Sequence, residues 1–306
     1  MEFGRVPNVD AVDFSYPVEP ASNAAFLGRN GGRAAPGDVL LGLPGWGDRG
    51  FVGRLYGQGT RPERFLEHYA GVFPAAELNT TYYGSSAQRL ARWASQVPES
   101  FRFCPKLPAD ITHELQLHGA DAAMGQFVEQ LGALGPRIGR VWGVLPPGFA
   151  PDRIDVLDRF LTTWAPRVPL ALELRHPDWF SSEQRIEHWA SCMRHHGVTA
   201  VISDVAGRRD VLHMRLTAAD AFVRFVGNNR HPSDQPRLVE WARRVANWRE
   251  AGLGRTYLFL HQKADPDAVD LARDFSGHFE QRTQEVLVPG LREPLGRPGG
   301  TQGELF

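Results

Sequence analysis

Three short segments carry most of the reactive side chains of this chain: ELNTTYY at 77–83, FRFCPK…ITH at 101–113 and ELRHPDWF at 173–180. Each opens on a short apolar run and closes on Glu, Asn, Lys, His, Arg and aromatic residues. An α/β barrel gathers its reactive groups at that place, the C-terminal ends of its strands. Glu77 and Asn79 are two apart on one strand, so their side chains share a face, and Leu78 takes the other. The same alternation puts Glu173 and Arg175 inward and Leu174 outward. A carboxylate beside a guanidinium suits bidentate pairing, as a structural brace or as part of a site. Glu77 and Glu173 are the candidate acid/base carboxylates.

Lys106 ends the third strand, where it is placed to hold a substrate anion, transfer a proton or form a Schiff base. His113 titrates near neutral pH and joins Lys106 as a group to polarise or protonate a substrate; His176 joins Asn79 and Tyr83 as a positioning group. Arg175 and Arg224 are candidate anion-binding residues. Arg224 precedes Gly227-Asn228-Asn229-Arg230, and barrel loops after the seventh and eighth strands often bind phosphate. Trp46, Tyr82, Tyr83 and Trp179 follow strand ends and are placed to form walls on which a sugar or base stacks. Glu77, Glu173, Asp204, His176 and His261 all lie near strand ends, but no close ligand spacing such as HExxH is present. The expected site therefore has no metal, and no cofactor is evident.

The elements that must position these groups are legible as an alternation. Apolar strand-like runs fall at 39–43, 75–78, 101–104, 141–145, 170–174, 200–203, 222–226 and 257–260. Stretches of 3.6-residue periodicity lie between most of them, at 62–69, 87–96, 122–134, 153–164, 182–195, 236–249 and 266–279. Ser182 reads as a helix cap, and Pro62 and Pro266 fit a first helical turn. Strand–helix alternation argues a parallel sheet, and eight strands argue a closed (β/α)8 TIM-type barrel. The unit between strands six and seven, 205–221, has no clear helix. No GxGxxG or GxxxxGK[ST] follows any strand. Residues 1–36 read as an irregular extension, 37–287 as the barrel, and 288–306 as a Gly- and Pro-rich tail.

Composition narrows the partners. With 34 Lys+Arg against 35 Asp+Glu, the formal net charge is -1, so no global basic field draws nucleic acid or anionic lipid. Arg is abundant and Lys rare, which leaves a local basic patch open. Two cysteines, Cys104 and Cys192, are too few for a disulfide framework. Neither a secretory pattern nor an apolar run of membrane-spanning length is present, so a cytoplasmic location is expected.

The order of motifs resembles the YecE-like family, a domain of unknown function classed among TIM barrels. The residues that carry the likeness are Gly45-Trp46; Glu77, Asn79, Tyr82 and Tyr83; Trp93 and Pro98; Phe101, Phe103, Lys106, Thr112 and His113; Pro146, Pro147 and Phe149; Glu173, Arg175, His176 and Trp179; and Arg224 with Gly227. The chain departs from the family pattern at Val144, where Gln is usual, at Val226, where His is usual, at His261-Gln262, where an Asn pair is usual, and at Pro105. The resemblance implies a fold and site positions in a divergent member, and no reaction. The function expected is an enzyme, a hydrolase or isomerase, acting on a small polar substrate, sugar-like or phosphorylated, by general acid/base chemistry. The alternative is a non-catalytic binding barrel for a nucleic-acid end or a protein partner.

Overall fold

The computed structural model describes residues 4, 6–30 and 38–291. Among them are eight parallel strands: β1 (Asp38–Leu43), β2 (Ala75–Leu78), β3 (Arg102–Pro105), β4 (Val141–Val144), β5 (Leu170–Glu173), β6 (Thr199–Asp204), β7 (Asp220–Val226) and β8 (Arg255–His261). They pair in the order β3-β2-β1-β8-β7-β6-β5-β4. The seam between β3 and β4 is closed by Phe103–Ile138 and Lys106–Trp142 bridges. Gly139 N–H reaches Phe103 O and Leu107 N–H reaches Trp142 O there, each at 2.7 Å. The result is the expected (β/α)8 barrel, nearly closed.

Pro105 is tolerated because of this seam. Arg102 and Lys106 donate their N–H groups to β2, at 2.9 and 3.2 Å. Alternation therefore turns position 105 toward β4, where the ladder is thinnest and a missing donor costs little.

Helices α2 (Phe65–Ala70), α3 (Ala87–Ala94), α4 (Asp121–Leu131), α5 (Ile154–Trp164), α6 (Glu183–His195), α7 (Asp234–Glu250) and α8 (Ala268–Thr283) follow strands 1–5, 7 and 8. Ser182 caps α6 by accepting from Arg185 N–H at 3.3 Å. Between β6 and β7 only a 3-10 turn forms, Ala206–Val211, as the sequence predicts.

The N-terminal stretch differs from its expectation. It contains a helix ahead of all these, α1 (Ala21–Asn30), which stands in for the missing sixth crossover helix. Asn23 donates to Met214 O and accepts from Leu216 N–H at 3.0 Å. Arg215 reaches Ser22 of α1 at 2.8 Å and also pairs with Glu183 and Glu187 of α6. Glu19, just before α1, pairs with Arg244 of α7 and accepts from Trp248 at 2.9 Å. Residues 31–36 of the extension and 292–306 of the tail lie outside the described residues.

Inside the barrel, side chains stack in layers. The bottom layer is ionic, with Arg140–Asp220 at 3.1 Å and Arg255–Asp38 at 3.6 Å. The middle is apolar: Ala75, Cys104, Trp142, Ala171, Val201, Phe222, Tyr257 and Phe259. Small residues offset the rings. A Cβ on Gly42 would meet Ala75 O at 2.3 Å and the Phe259 ring at 2.8 Å, so a side chain there cannot share the layer with Phe259. The top layer holds the charged residues. No helix among the described residues is long and apolar enough to cross a membrane.

Candidate functional site

Glu77 on β2, Glu173 on β5, Arg224 on β7 and His261 on β8 all point inward at the C-terminal end of the barrel, one step above the apolar layer. Arg224 crosses the axis. Its Nε donates to Glu77 Oε1 at 2.8 Å and its Nη1 to Glu173 Oε2 at 3.3 Å. Arg175 Nε holds Glu173 Oε1 at 2.7 Å. The other Glu77 oxygen lies 3.2 Å from His261 Nε2 and accepts from Asn79 Nδ2 at 3.2 Å. Asn79 gives its second amide hydrogen to Pro44 O at 3.1 Å, which leaves its carbonyl oxygen for a ligand.

Burial pushes both carboxyls up, but the guanidiniums outweigh it. Arg224 and His261 hold Glu77 well below the usual carboxylate range, and Arg175 and Arg224 lower the pKa of Glu173. Both therefore stay ionised at neutral pH.

Lys106 stands apart from this brace. Its backbone bridges the β3–β4 seam, and its Nζ sits 4.3 Å from the centre of the Tyr82 ring and 5.1 Å from that of Trp142. Burial first, and Arg224 next, lower its pKa to about 8 against the opposing pull of Glu77. Trp142 is fully buried and floors the mouth, with Arg224 4.5 Å from its ring centre as well.

His113 lies edge-on to Tyr82 at 5.5 Å. Thr112 Oγ1 donates to Pro108 O at 3.0 Å and lies 2.9 Å from His113 Nδ1. With the hydroxyl hydrogen directed to Pro108, His113 Nδ1 is the donor of this pair and Nε2 keeps a lone pair. Burial, Lys106 and Arg175 all lower the pKa of His113, which favours the neutral ring. His176 Nδ1 accepts from Asp178 N–H at 3.1 Å, capping the turn Pro177–Phe180.

Other expected site residues sit elsewhere. Trp46 packs on Trp93, Phe103 and Tyr69, with ring centres 5.3, 5.9 and 6.4 Å away, between barrel and helices. Trp179 is buried and donates to Phe149 O at 2.7 Å. Trp46 is half-buried, and each of the two packs against neighbouring rings. Tyr83 is 84% exposed. With Tyr82 it lines a side groove of about 470 Å³ next to the mouth. The loop after β7 satisfies its own donors: Asn228 N–H donates to the Asp234 carboxylate at 2.9 and 3.0 Å, and Asn229 N–H to Gln262 Oε1 at 3.0 Å. An anion there would compete with Asp234, and Arg224 serves as a brace within the protein.

The candidate metal set does not converge. Asp204 faces outward, away from Glu77, Glu173 and His261. It accepts from Tyr16 at 2.7 Å and Trp241 at 2.8 Å, and it pairs with Arg209 and Arg237. Among the described residues, the three-donor group within reach of a single ion is Asp158, Cys192 and His196, on the outer face of α5 and α6. Two groups at the mouth were given no such role by sequence reasoning. Trp142 reads as plain apolar strand, although its phase with Val144 marks it as inward. His261 was noted only as a departure from the family pattern and a loose metal candidate.

A parallel (β/α)8 barrel with a braced, charged C-terminal mouth defines a TIM-barrel protein. The chain belongs to the DUF72 family: its residues 40–295 match the family described as "Protein of unknown function DUF72". It is 31% identical over 273 residues to the UPF0759 protein YecE of Escherichia coli K12, covering 83% of this chain and 97% of that one. It is 25% identical over 265 residues to the UPF0759 protein YunF of Bacillus subtilis, covering 82% and 87%. Among solved structures, a DUF72 family protein from Enterococcus faecalis superposes with a TM-score of 0.63 at 18% identity, covering 79% of this chain and 95% of that one.

Proposed function

We propose that the barrel mouth is the active site of an enzyme that acts on a small polar substrate, sugar-like or phosphorylated, by proton transfer. One arrangement supports this reading: a buried amine without a carboxylate partner among the described residues and a neutral imidazole flank Tyr82, beside carboxylates locked in their ionised form. Glu77 and Glu173 are poor proton donors at neutral pH, because a carboxyl held below its ordinary pKa rarely carries the proton there. In this reading they are fixed negative charges that stabilise positive charge developing above Trp142. The proton work falls to Lys106 and to His113 Nε2. Asn79, Tyr82 and His176 orient the substrate.

A thermal-shift screen tests the reading. The panel holds sugars, sugar phosphates, small carboxylic acids and short oligonucleotides. A ligand at 100 times its Kd adds about 2.7 kcal/mol, a shift of roughly 5–10 °C for a domain of this size class. The expected result is a shift from a small polar molecule that disappears in Lys106→Met. Shifts from oligonucleotides only, or shifts that survive Lys106→Met unchanged, would remove the active-site reading in favour of a binding barrel.

A further inference from the structure

The chain has 34 basic residues, and only two are lysine: Lys106 and Lys263. Elsewhere positive charge is supplied by arginine, including at Arg175 and Arg224 in the same mouth. A guanidinium cannot give up its proton in a protein, whereas an amine can, and only the free amine has a lone pair to donate. Lysine at 106 thus provides the one thing that the neighbouring arginines cannot.

The surroundings of Lys106 favour the free amine. Its residue is 8% exposed, and its cationic contacts are the faces of Tyr82 and Trp142. Among the described residues no carboxylate oxygen lies within 4.0 Å of Nζ. The two nearest acidic residues are already engaged, Glu77 by Arg224 and His261, and Glu173 by Arg175 and Arg224.

Resting on the active-site reading above, we propose that Lys106 is a nucleophile that forms an imine with a small polar aldehyde or ketone. The Nζ lone pair attacks the carbonyl carbon, and the C=O π pair moves to oxygen, which takes a proton from solvent. The nitrogen loses a proton to a base, for which His113 Nε2 is placed, giving a carbinolamine. Return of that proton to the hydroxyl releases water as the nitrogen lone pair forms C=N. The iminium so formed is a cation lying on the faces of Tyr82 and Trp142, which stabilise it, beside the fixed charges of Glu77 and Glu173. It draws electrons from the adjacent carbon, which is the basis of isomerisation or C–C cleavage. Hydrolysis returns the amine, and no oxidant or reductant is consumed.

Lysine pKa supports this chemistry. At about 8, about a tenth of Lys106 is free amine at pH 7, against roughly one part in 2,500 for an ordinary lysine. Burial sets this value first, then the charges of Arg224 on β7, Glu77 on β2, Arg175 just after β5 and Glu173 on β5; the titratable Tyr82 and His113 also face this corner from the turns after β2 and β3.

The test is reductive trapping on the full wild-type chain. Glycolaldehyde, glyoxylate and dihydroxyacetone phosphate serve as probes, with sodium borohydride added to reduce any iminium to a secondary amine. Peptide mass mapping then compares Lys106 with the exposed Lys263 and the α-amine. The expected result at pH 7 is saturable labelling of Lys106 at least tenfold above Lys263 by one or more probes. Its extent should rise with pH to half-maximum near 8. Preference for neutral or anionic probes assigns the substrate's charge. Labelling of Lys106 no greater than that of Lys263 by all three probes, from pH 6 to 9, overturns the imine. If the thermal-shift ligand still depends on Lys106 in that case, the active-site reading stands without the imine; if neither signal appears, both fall.

Discussion

Arg224 is a single guanidinium shared between two buried carboxylates, and its removal has a calculable signature. In Arg224→Met, Glu77 keeps His261 and Asn79 while Glu173 keeps Arg175, but each loses part of what holds it ionised. Breaking one side of a buried ionic network costs about 3–5 kcal/mol, measurable by urea unfolding at pH 7. The pH dependence follows from the direction of the shifts. Both carboxyls titrate below their unfolded value of 4.5 in the folded protein. Their pairing therefore stabilises fully above that value and is lost as pH falls through the lower, folded values. The unfolded chains titrate alike and cancel, so the gap between wild type and variant narrows as pH falls through the variant's own carboxyl pKa values, which loss of Arg224 raises above those of the wild type. A gap that stays constant throughout the acid range in which the variant's carboxyls titrate would mean that Arg224 acts by packing on Trp142 rather than by charge. At this scale the sequence is half legible. A period of two placed Glu77 with Asn79 and Glu173 with Arg175 on one face. It could not reveal that Arg224 reaches Glu77 across 147 positions.

Strands and crossover helices of this barrel are visible in the chain because each is amphipathic or apolar over its own length. Helix α1 is not, because what it buries lies elsewhere: Asn23 contacts Met214, 191 positions away, and a ten-residue helix with Asn and Gly has little propensity of its own. The gap it fills was legible only as a missing helix between β6 and β7. Asn23 is the pin. Replacing it with Ala strips Leu216 N–H of its acceptor and Met214 O of a donor, for a cost of about 1–3 kcal/mol. Native-state hydrogen exchange reads this locally. The Leu216 amide should lose protection while that of Val223, within β7, keeps it. Equal protection of Leu216 in the two proteins would show that α1 is held by packing of Leu27 alone.

At the scale of the whole molecule, the N-terminal segment connects two regions that the barrel itself keeps apart. Outside the sheet, Tyr16 donates to Asp204 at 2.7 Å, and the Phe14 ring lies 5.0 Å from the Arg237 guanidinium and 5.5 Å from that of Arg209. Above the strand ends, Gly207 N–H donates to Gly4 O at 3.0 Å, and Val6 and Val9 wall a cavity of about 280 Å³ over Gly227 and Gln262. Deleting residues 1–17 separates these contributions while sparing α1. Asp204 retains Arg209, Arg237 and Trp241 but loses Tyr16, and Arg209 loses Phe14 O and Ser15 O, so the one hydrogen bond to the charged Asp204 sets the least loss, about 1.5–3 kcal/mol. That corresponds to a fall in melting temperature of roughly 3–12 °C for a domain of this size class. Asp204 faces away from the axis, so trapping at Lys106 should be unchanged in the shortened chain. A melting temperature that does not move would mean that the segment rests on the surface without buttressing it. Loss of Lys106 labelling from a protein that still melts cooperatively would mean instead that Val6 and Val9 complete the mouth, and that the extension and the barrel form one functional unit.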